Sequence, residues 1–238
     1  AEDASRTDLS FLVEVGQLVH KSGADRFSLA DTVGCLTPTK TKNLVGQIVS
    51  EIDLPIHVHC HNDFGMATAN ALSALEAGAQ CVDVTVNGLG ERCGLPTLAE
   101  VTVALNELHK VDHNWNLELL PELSELVGSF TNLESKFNRP IVGRNAFTHK
   151  AGLHVKAVAE NPRSYEAISP ESVYRNRRFI IDKYTGSSAL KNKFEQLGIT
   201  LSRKELDIVL KKIKSHPEKV SWAGKELINL TKSIGIKT

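Results

Sequence analysis

Three polar residues recur at a fixed interval: Asp31, His59 and Asn87 are each 28 residues apart. Each stands at or near the end of a short strand-like run (RFSLAD, PIHVHCH and CVDVTVN), and each run is followed by a helical pattern. A strand and a helix joined by short connections, repeated at that length, is the βα unit of a parallel sheet. Polar residues gather at the C-terminal ends of these strands: Asp31-Thr32, then His59 to Asp63, then Asn87 to Arg92. A β/α barrel puts its chemistry at that face, and so does a doubly wound sheet. No Gly-rich phosphate loop opens a helix, which favours the barrel. Three full units are visible, with the end of a further strand at Glu2-Asp3; a closed barrel has eight. Ala1-Glu2-Asp3 runs straight into a helical pattern, so the expectation is that the earlier strands lie upstream of this chain.

Local signals set the element boundaries. Thr7 or Asp8 can cap a helix over 9–21, and Thr37-Pro38 is a cap with proline at the first helical position of 38–52. Strands are expected at 26–30, 56–61 and 81–86, and helices at 65–77 and 97–108. From about Val111 the pattern changes. A polar connector (113–121) precedes a helix over 119–133, then a Gly-rich basic stretch, RPIVGRNAFTHKAGLH. Helices follow at 187–197, at 202–216 with a Ser202/Glu205 capping box, and at 223–233. The fold class is therefore α/β. It reads as the C-terminal part of a (β/α)8 barrel over 1–112, a linker or lid over 113–186 and a small α-rich subdomain over 187–238.

Composition narrows the function. The 28 acidic and 28 basic residues cancel, giving no electrostatic case for nucleic acid, and no apolar run is long enough to cross a membrane. Cys35, Cys60, Cys81 and Cys93 form no CxxC pair and read as reduced thiols of a cytoplasmic protein.

The stretch HVHCHND, His57–Asp63, carries the strongest chemical signal. Alternate strand residues share a face, so His57, His59 and His61 project together. Two imidazoles at a strand end can hold a divalent metal. A lone histidine is more often a satisfied core residue, but an HxH at a strand end followed by Asn-Asp points to ligation. Asn62-Asp63 can turn the chain and cap the next helix.

HVHCHNDFGMATANALSALEAGA, VDVTVNGLGERCG and IVGRNAFTHKAGLHVKAV, in that order, resemble the acyl-CoA condensing branch of the DRE-TIM metallolyases, which includes homocitrate, isopropylmalate and citramalate synthases. The resemblance covers nearly the whole chain. Thr148-His149-Lys150-Ala151 and ENPRSYEAI are most similar to the homocitrate synthase pattern. The resemblance implies condensation of acetyl-CoA, as co-substrate, with a 2-oxo acid, giving homocitrate from 2-oxoglutarate in lysine biosynthesis. It implies one divalent metal (zinc, manganese or magnesium) on His59 and His61, with a carboxylate of the first barrel strand as third ligand. It implies a proton relay centred on His154 with Glu2 and Tyr165, and a substrate-binding hydroxyl on Thr32. It also implies a domain-swapped homodimer in which His154 and Tyr165 reach the neighbouring barrel.

Taken alone, these residues have blander readings: Glu2 a solvated end, His154 a helix cap, Tyr165 a packing residue, Thr32 turn chemistry, and Glu91-Arg92 an ion pair at the rim. Lys150, Lys156 and Arg163 could meet CoA phosphates or be surface charges. Leu95 stands where isopropylmalate synthases carry Asn after GERxG, which weakens that alternative. A CoA-thioester lyase of the same superfamily would carry a Gly-Gly-Cys loop where Gly90-Glu91-Arg92 stands. The remaining alternative is a non-catalytic half-barrel that needs an N-terminal partner, since apolar sheet edges would seek one.

Overall fold

The computed structural model describes residues 1–133, 137–150, 152–216, 218–219 and 221–236. They form two units, Ala1–Lys136 with Pro140–Val142, and Phe137–Arg139 with Gly143–Thr238. Ala151 and Thr238 lie outside the described residues.

The first unit alternates helix and strand: α1 Leu9–Lys21, β1 Phe27–Asp31, α2 Pro38–Glu51, β2 Ile56–Cys60, α3 Ala67–Glu76, β3 Cys81–Val82, α4 Leu98–Glu107 and α5 Leu120–Thr131. The caps behave as the residues dictate. The Asp8 carboxylate accepts the Ser10 N–H ahead of α1, and the Thr37 hydroxyl accepts the Lys40 N–H ahead of α2. Every strand pair is parallel in the order β1-β2-β3, with Phe27 opposite Ile56 and His57 opposite Cys81. On the far edge of β1, Ala1 donates to the Ser28 carbonyl at 2.6 Å and accepts the Ala30 N–H at 2.9 Å. That is the bonding pattern of one more parallel neighbour. Phe27, Leu29, Ile48, Ile56 and Val58 are among the side chains that fill the core between sheet and helices. Burying each such side chain contributes about 1.5–3 kcal/mol.

β3 is shorter than the expected 81–86. Asp83 N–H still reaches the Val58 carbonyl, but Thr85 then pairs with Thr97 instead of with β2, and Asn87 turns at φ 58°. Beyond β3, Val82, Leu98, Val101, Leu105, Trp115 and Leu120 line an apolar groove of about 500 Å3.

The second unit holds β4 Thr148–His149 parallel to β5 Arg178–Phe179, with α6 Gly152–Glu160, α7 Ser187–Gln196, α8 Arg203–Lys214 and α9 Gly224–Ser233. The Ser202/Glu205 capping box starts α8 as its sequence dictates. One core joins Val155 and Val158 of α6 and Ile181 to Phe194, Val209, Ile213 and Leu227. Val155, Val158, Phe179 and Ile181, from the segment expected as a linker or lid, share a core with the helices after 187, and α5 groups with the first unit. Among the described residues no helix is long and apolar enough to cross a membrane.

Candidate active site

β2 sends Val58 and Cys60 into the core, and burial there, then the charges of Asp31 and Asp83, push the Cys60 thiol up to about 12. The alternate residues face a carboxylate. His59 Nδ1 lies 2.6 Å from Asp83 Oδ2, and His57 Nε2 lies 3.0 Å from Oδ1 but out of line for a hydrogen bond. Burial alone would raise the Asp83 carboxyl; the His59 hydrogen bond and the His57 charge outweigh it, so the group stays below the usual carboxylate range. The His59 and His61 rings stand edge to face with centroids 4.9 Å apart. His61 is held below the usual imidazole range by burial first, then by the charges of Arg92 and His59, and its Nδ1 is buried with no hydrogen-bond partner.

These residues fit a divalent metal. Neutral imidazoles are the ligating form. A carboxylate on His59 Nδ1 fixes the tautomer that leaves Nε2 as donor. The buried, unpartnered nitrogen of His61 marks a polar group whose hydrogen bonding is incomplete. Among the described residues, no group of three or more His, Cys, Asp and Glu side chains is arranged to hold the ion.

Around this pair the strand ends are tied together. Arg92 donates from Nε to Asp63 Oδ1 at 2.8 Å, from Nη2 to Asp63 Oδ2 at 2.9 Å, and again from Nη2 to the Thr32 carbonyl at 2.8 Å. Its principal partner is thus Asp63, with Glu91 at 3.9 Å and largely exposed. Gly34 stands at φ 63° against Asp63, where an added Cβ would come within 2.4 Å of Oδ2. The Thr32 hydroxyl accepts the Asp3 N–H at 2.7 Å, so its own proton remains available to donate. Glu2 is exposed on the neighbouring segment. Asn62 Oδ1 accepts the Ala67 N–H, as a turn-and-cap residue should. Two other strand-end residues serve the fold. Asp31 is buried and accepts the Cys35 and Leu36 N–H groups, and Asn87 bonds Ser124 through both ends of its amide.

The second unit brings His154 and Tyr165 together. Their rings stack with centroids 4.0 Å apart and planes 26° apart. His154 lies within the first turn of α6, not at a cap, and Tyr165 closes a 3₁₀ turn at Pro162–Ser164. Both are exposed, beside Leu153, whose side chain is 71% exposed. The residue after Tyr165 anchors the pair: Glu166, 5% exposed, accepts Arg177 through two bonds at 2.5 and 2.6 Å and contacts His149 Nε2 at 3.1 Å.

The HMGL-like family model matches residues 1–127, and the model described as homocitrate synthase post-HMGL domain-like matches residues 141–221. The homocitrate synthase AksA of Methanopyrus kandleri is 46% identical over 215 residues, covering 90% of this chain and 54% of that protein. A probable 2-isopropylmalate synthase of the same organism is 44% identical over 219 residues, covering 92% and 44%. The chain spans about half the length of the curated relatives it matches. Among solved structures, the Bacillus subtilis HMG-CoA lyase aligns with a TM-score of 0.50 at 20% identity, over 59% of this chain and 47% of that one, a likeness of fold alone. Parallel βα units with polar strand ends, under a family model that takes in 127 of the 238 residues, leave one conclusion: the chain belongs to the HMGL-like family, of the DRE-TIM type.

Proposed function

We propose that this chain carries part of the active site of a homocitrate synthase, which condenses acetyl-CoA with 2-oxoglutarate. A proton leaves the acetyl methyl group, the resulting carbon bonds to C2 of the oxo acid, and water cleaves the thioester to give homocitrate and CoA. The observation that carries this reading is the His154–Tyr165 stack, because it pairs a base with a phenol on the segment that follows the barrel. His154 takes the methyl proton. Tyr165 holds the imidazole in place by its ring face, and Glu2 completes the relay. Thr32 donates its hydroxyl proton to a substrate carboxylate. Asp83 fixes His59, so that His59 and His61 present their donors to a divalent metal. When bound, that ion supplies Lewis-acid polarisation of the keto oxygen. The third protein ligand in this reading is a carboxylate of the first barrel strand. The exposed Leu153, His154 and Tyr165 fit a swapped homodimer, in which this segment serves the partner's barrel.

The near-equal likeness to a 2-isopropylmalate synthase keeps 2-oxoisovalerate as the second candidate acid; Leu95 argues against it.

Thiol release from acetyl-CoA tests the reading. 2-Oxoglutarate, 2-oxoisovalerate and pyruvate are compared with added divalent metal, using the chain alone and supplemented with the N-terminal strands of a homocitrate synthase. Release with 2-oxoglutarate, lost in His154→Ala, is the expected result. No release with any acid in either form overturns the reading, and release with 2-oxoisovalerate alone replaces it by the second.

A further inference from the structure

Three arginines of the second unit converge on one small cavity. Arg144, Arg175 and Arg178 line a pocket of about 200 Å3 with Phe147, Tyr174 and Asn176, and none of the described lining residues is a carboxylate. Arg177, between two of them in sequence, has its guanidinium committed to Glu166. Arg144 and Arg178 have no acidic partner within 4 Å among the described residues, and Arg178 Nη1 donates instead to the Arg144 carbonyl at 3.3 Å. Lys193 stands close by, its ammonium held below the usual range by burial first and by the Arg178 charge second. The like charges of Arg144 and Arg178, held this close, repel less when an anion sits between them.

The pocket is built on fixed backbone. Arg178 opens β5, and its N–H bonds the carbonyl of the buried Phe147 at 2.9 Å. Gly143 packs so closely that a Cβ would fall 2.4 Å from the Arg139 carbonyl oxygen. Tyr174 takes φ 52° and ψ 39°, a left-handed conformation that bulky side chains rarely adopt. Such strain persists where the surroundings enforce it, and it gathers at ligand sites.

We propose that this pocket binds a phosphate group, held by the forks of Arg144 and Arg178 with Arg175 beside them. Guanidinium forks match phosphate oxygens two by two. The volume suits a phosphate or diphosphate and excludes a whole nucleotide. The phosphate bearer is the adenosine 3′,5′-bisphosphate part of CoA, whose base can lie on the exposed Tyr174 ring outside the pocket. That choice of bearer rests on the condensation reading; the phosphate chemistry does not.

Calorimetric titration of the chain with CoA, dephospho-CoA, adenosine 3′,5′-bisphosphate and inorganic phosphate tests this, in wild type, Arg144→Gln and Arg178→Gln. Both side chains are exposed, so the fold survives, and Arg203→Gln serves as an exposed control outside the pocket. CoA and the bisphosphate are expected to bind, each pocket variant weakening them about tenfold or more while the control changes nothing. Inorganic phosphate binding as tightly as CoA, with the same arginine dependence, overturns CoA as the bearer and makes this a free-phosphate site. Absence of arginine-dependent binding by any probe overturns the proposal. The two readings fail separately: arginine-dependent binding without thiol release removes the condensation reading alone, and thiol release with an unchanged KM for acetyl-CoA in both variants removes the pocket alone.

Discussion

In the first unit His59 is held by the parallel ladder of β2, bonded on both sides, and by one carboxylate beside it. In the second, Tyr165 closes a 3₁₀ turn with no strand under it, and its place depends on Glu166 pulling Arg177 and His149 together. The difference teaches where each carboxylate acts. Asp83 orients a ring that the sheet has already located, whereas Glu166 fixes the course of the chain itself.

That contrast is open to breakage. The largest effect is expected from Glu166→Ala, which leaves His149 without its acceptor and Arg177, among the described residues, with only the exposed Glu171 at 3.7 Å. A half-lost pair of this burial costs about 3–5 kcal/mol. Hydrogen exchange should speed up across α6 to α9 and stay unchanged in the first unit. The same contact predicts acid sensitivity. Burial raises the Glu166 carboxyl, but the bonds from Arg177 and His149 outweigh it and bring it below the usual range. A carboxyl depressed in the folded state stabilises above its unfolded value of about 4.3 and loses that contribution as pH falls through the folded value. Hydrogen exchange across α6 to α9 should therefore quicken in the wild type as pH falls through that folded value, and change less with pH in Glu166→Ala. Asp83→Asn comes next. It should leave the β1-β2-β3 amides protected while weakening metal binding about 10–100-fold, read by competition with a chelator. Equal loss of protection in both variants would break the comparison. The smallest effect, with no cost in stability, sharpens it within β2. At pH 8 a thiol reagent should label the exposed Cys93 and spare Cys60, whose burial closes the face opposite the histidines.

Much of this could be read from single residues and their neighbours in sequence. Thr37-Pro38 and Ser202 with Glu205 start helices because their signals act within one turn, and the 28-residue interval fixed the parallel order. Asp83 was missed as a functional residue because its signal lies in pairing. In CVDVTV it looks like an ordinary outward strand position. Only when Cys81 is set opposite His57 does residue 83 fall beside His59. The Glu166 cluster spans 11 and 17 residues and has no local trace. No helix is expected from the sequence at 152–160, because the stretch before it is Gly-rich and basic, yet Val155 and Val158 bury one turn apart and hold α6 to the core of the second unit. β3 ended early because Thr85 found Thr97, a pairing that composition does not reveal.

The groove between β3, α4 and the segment before α5 has a practical consequence. Reporter dyes such as ANS brighten in apolar clefts, and uptake of that kind is commonly read as a loosely packed state. Here the folded chain itself offers Trp115 and its leucine and valine neighbours to such a molecule. Dye fluorescence of this protein should therefore be high before any denaturant is added. It should fall as the groove comes apart, so that folding is followed by the loss of light.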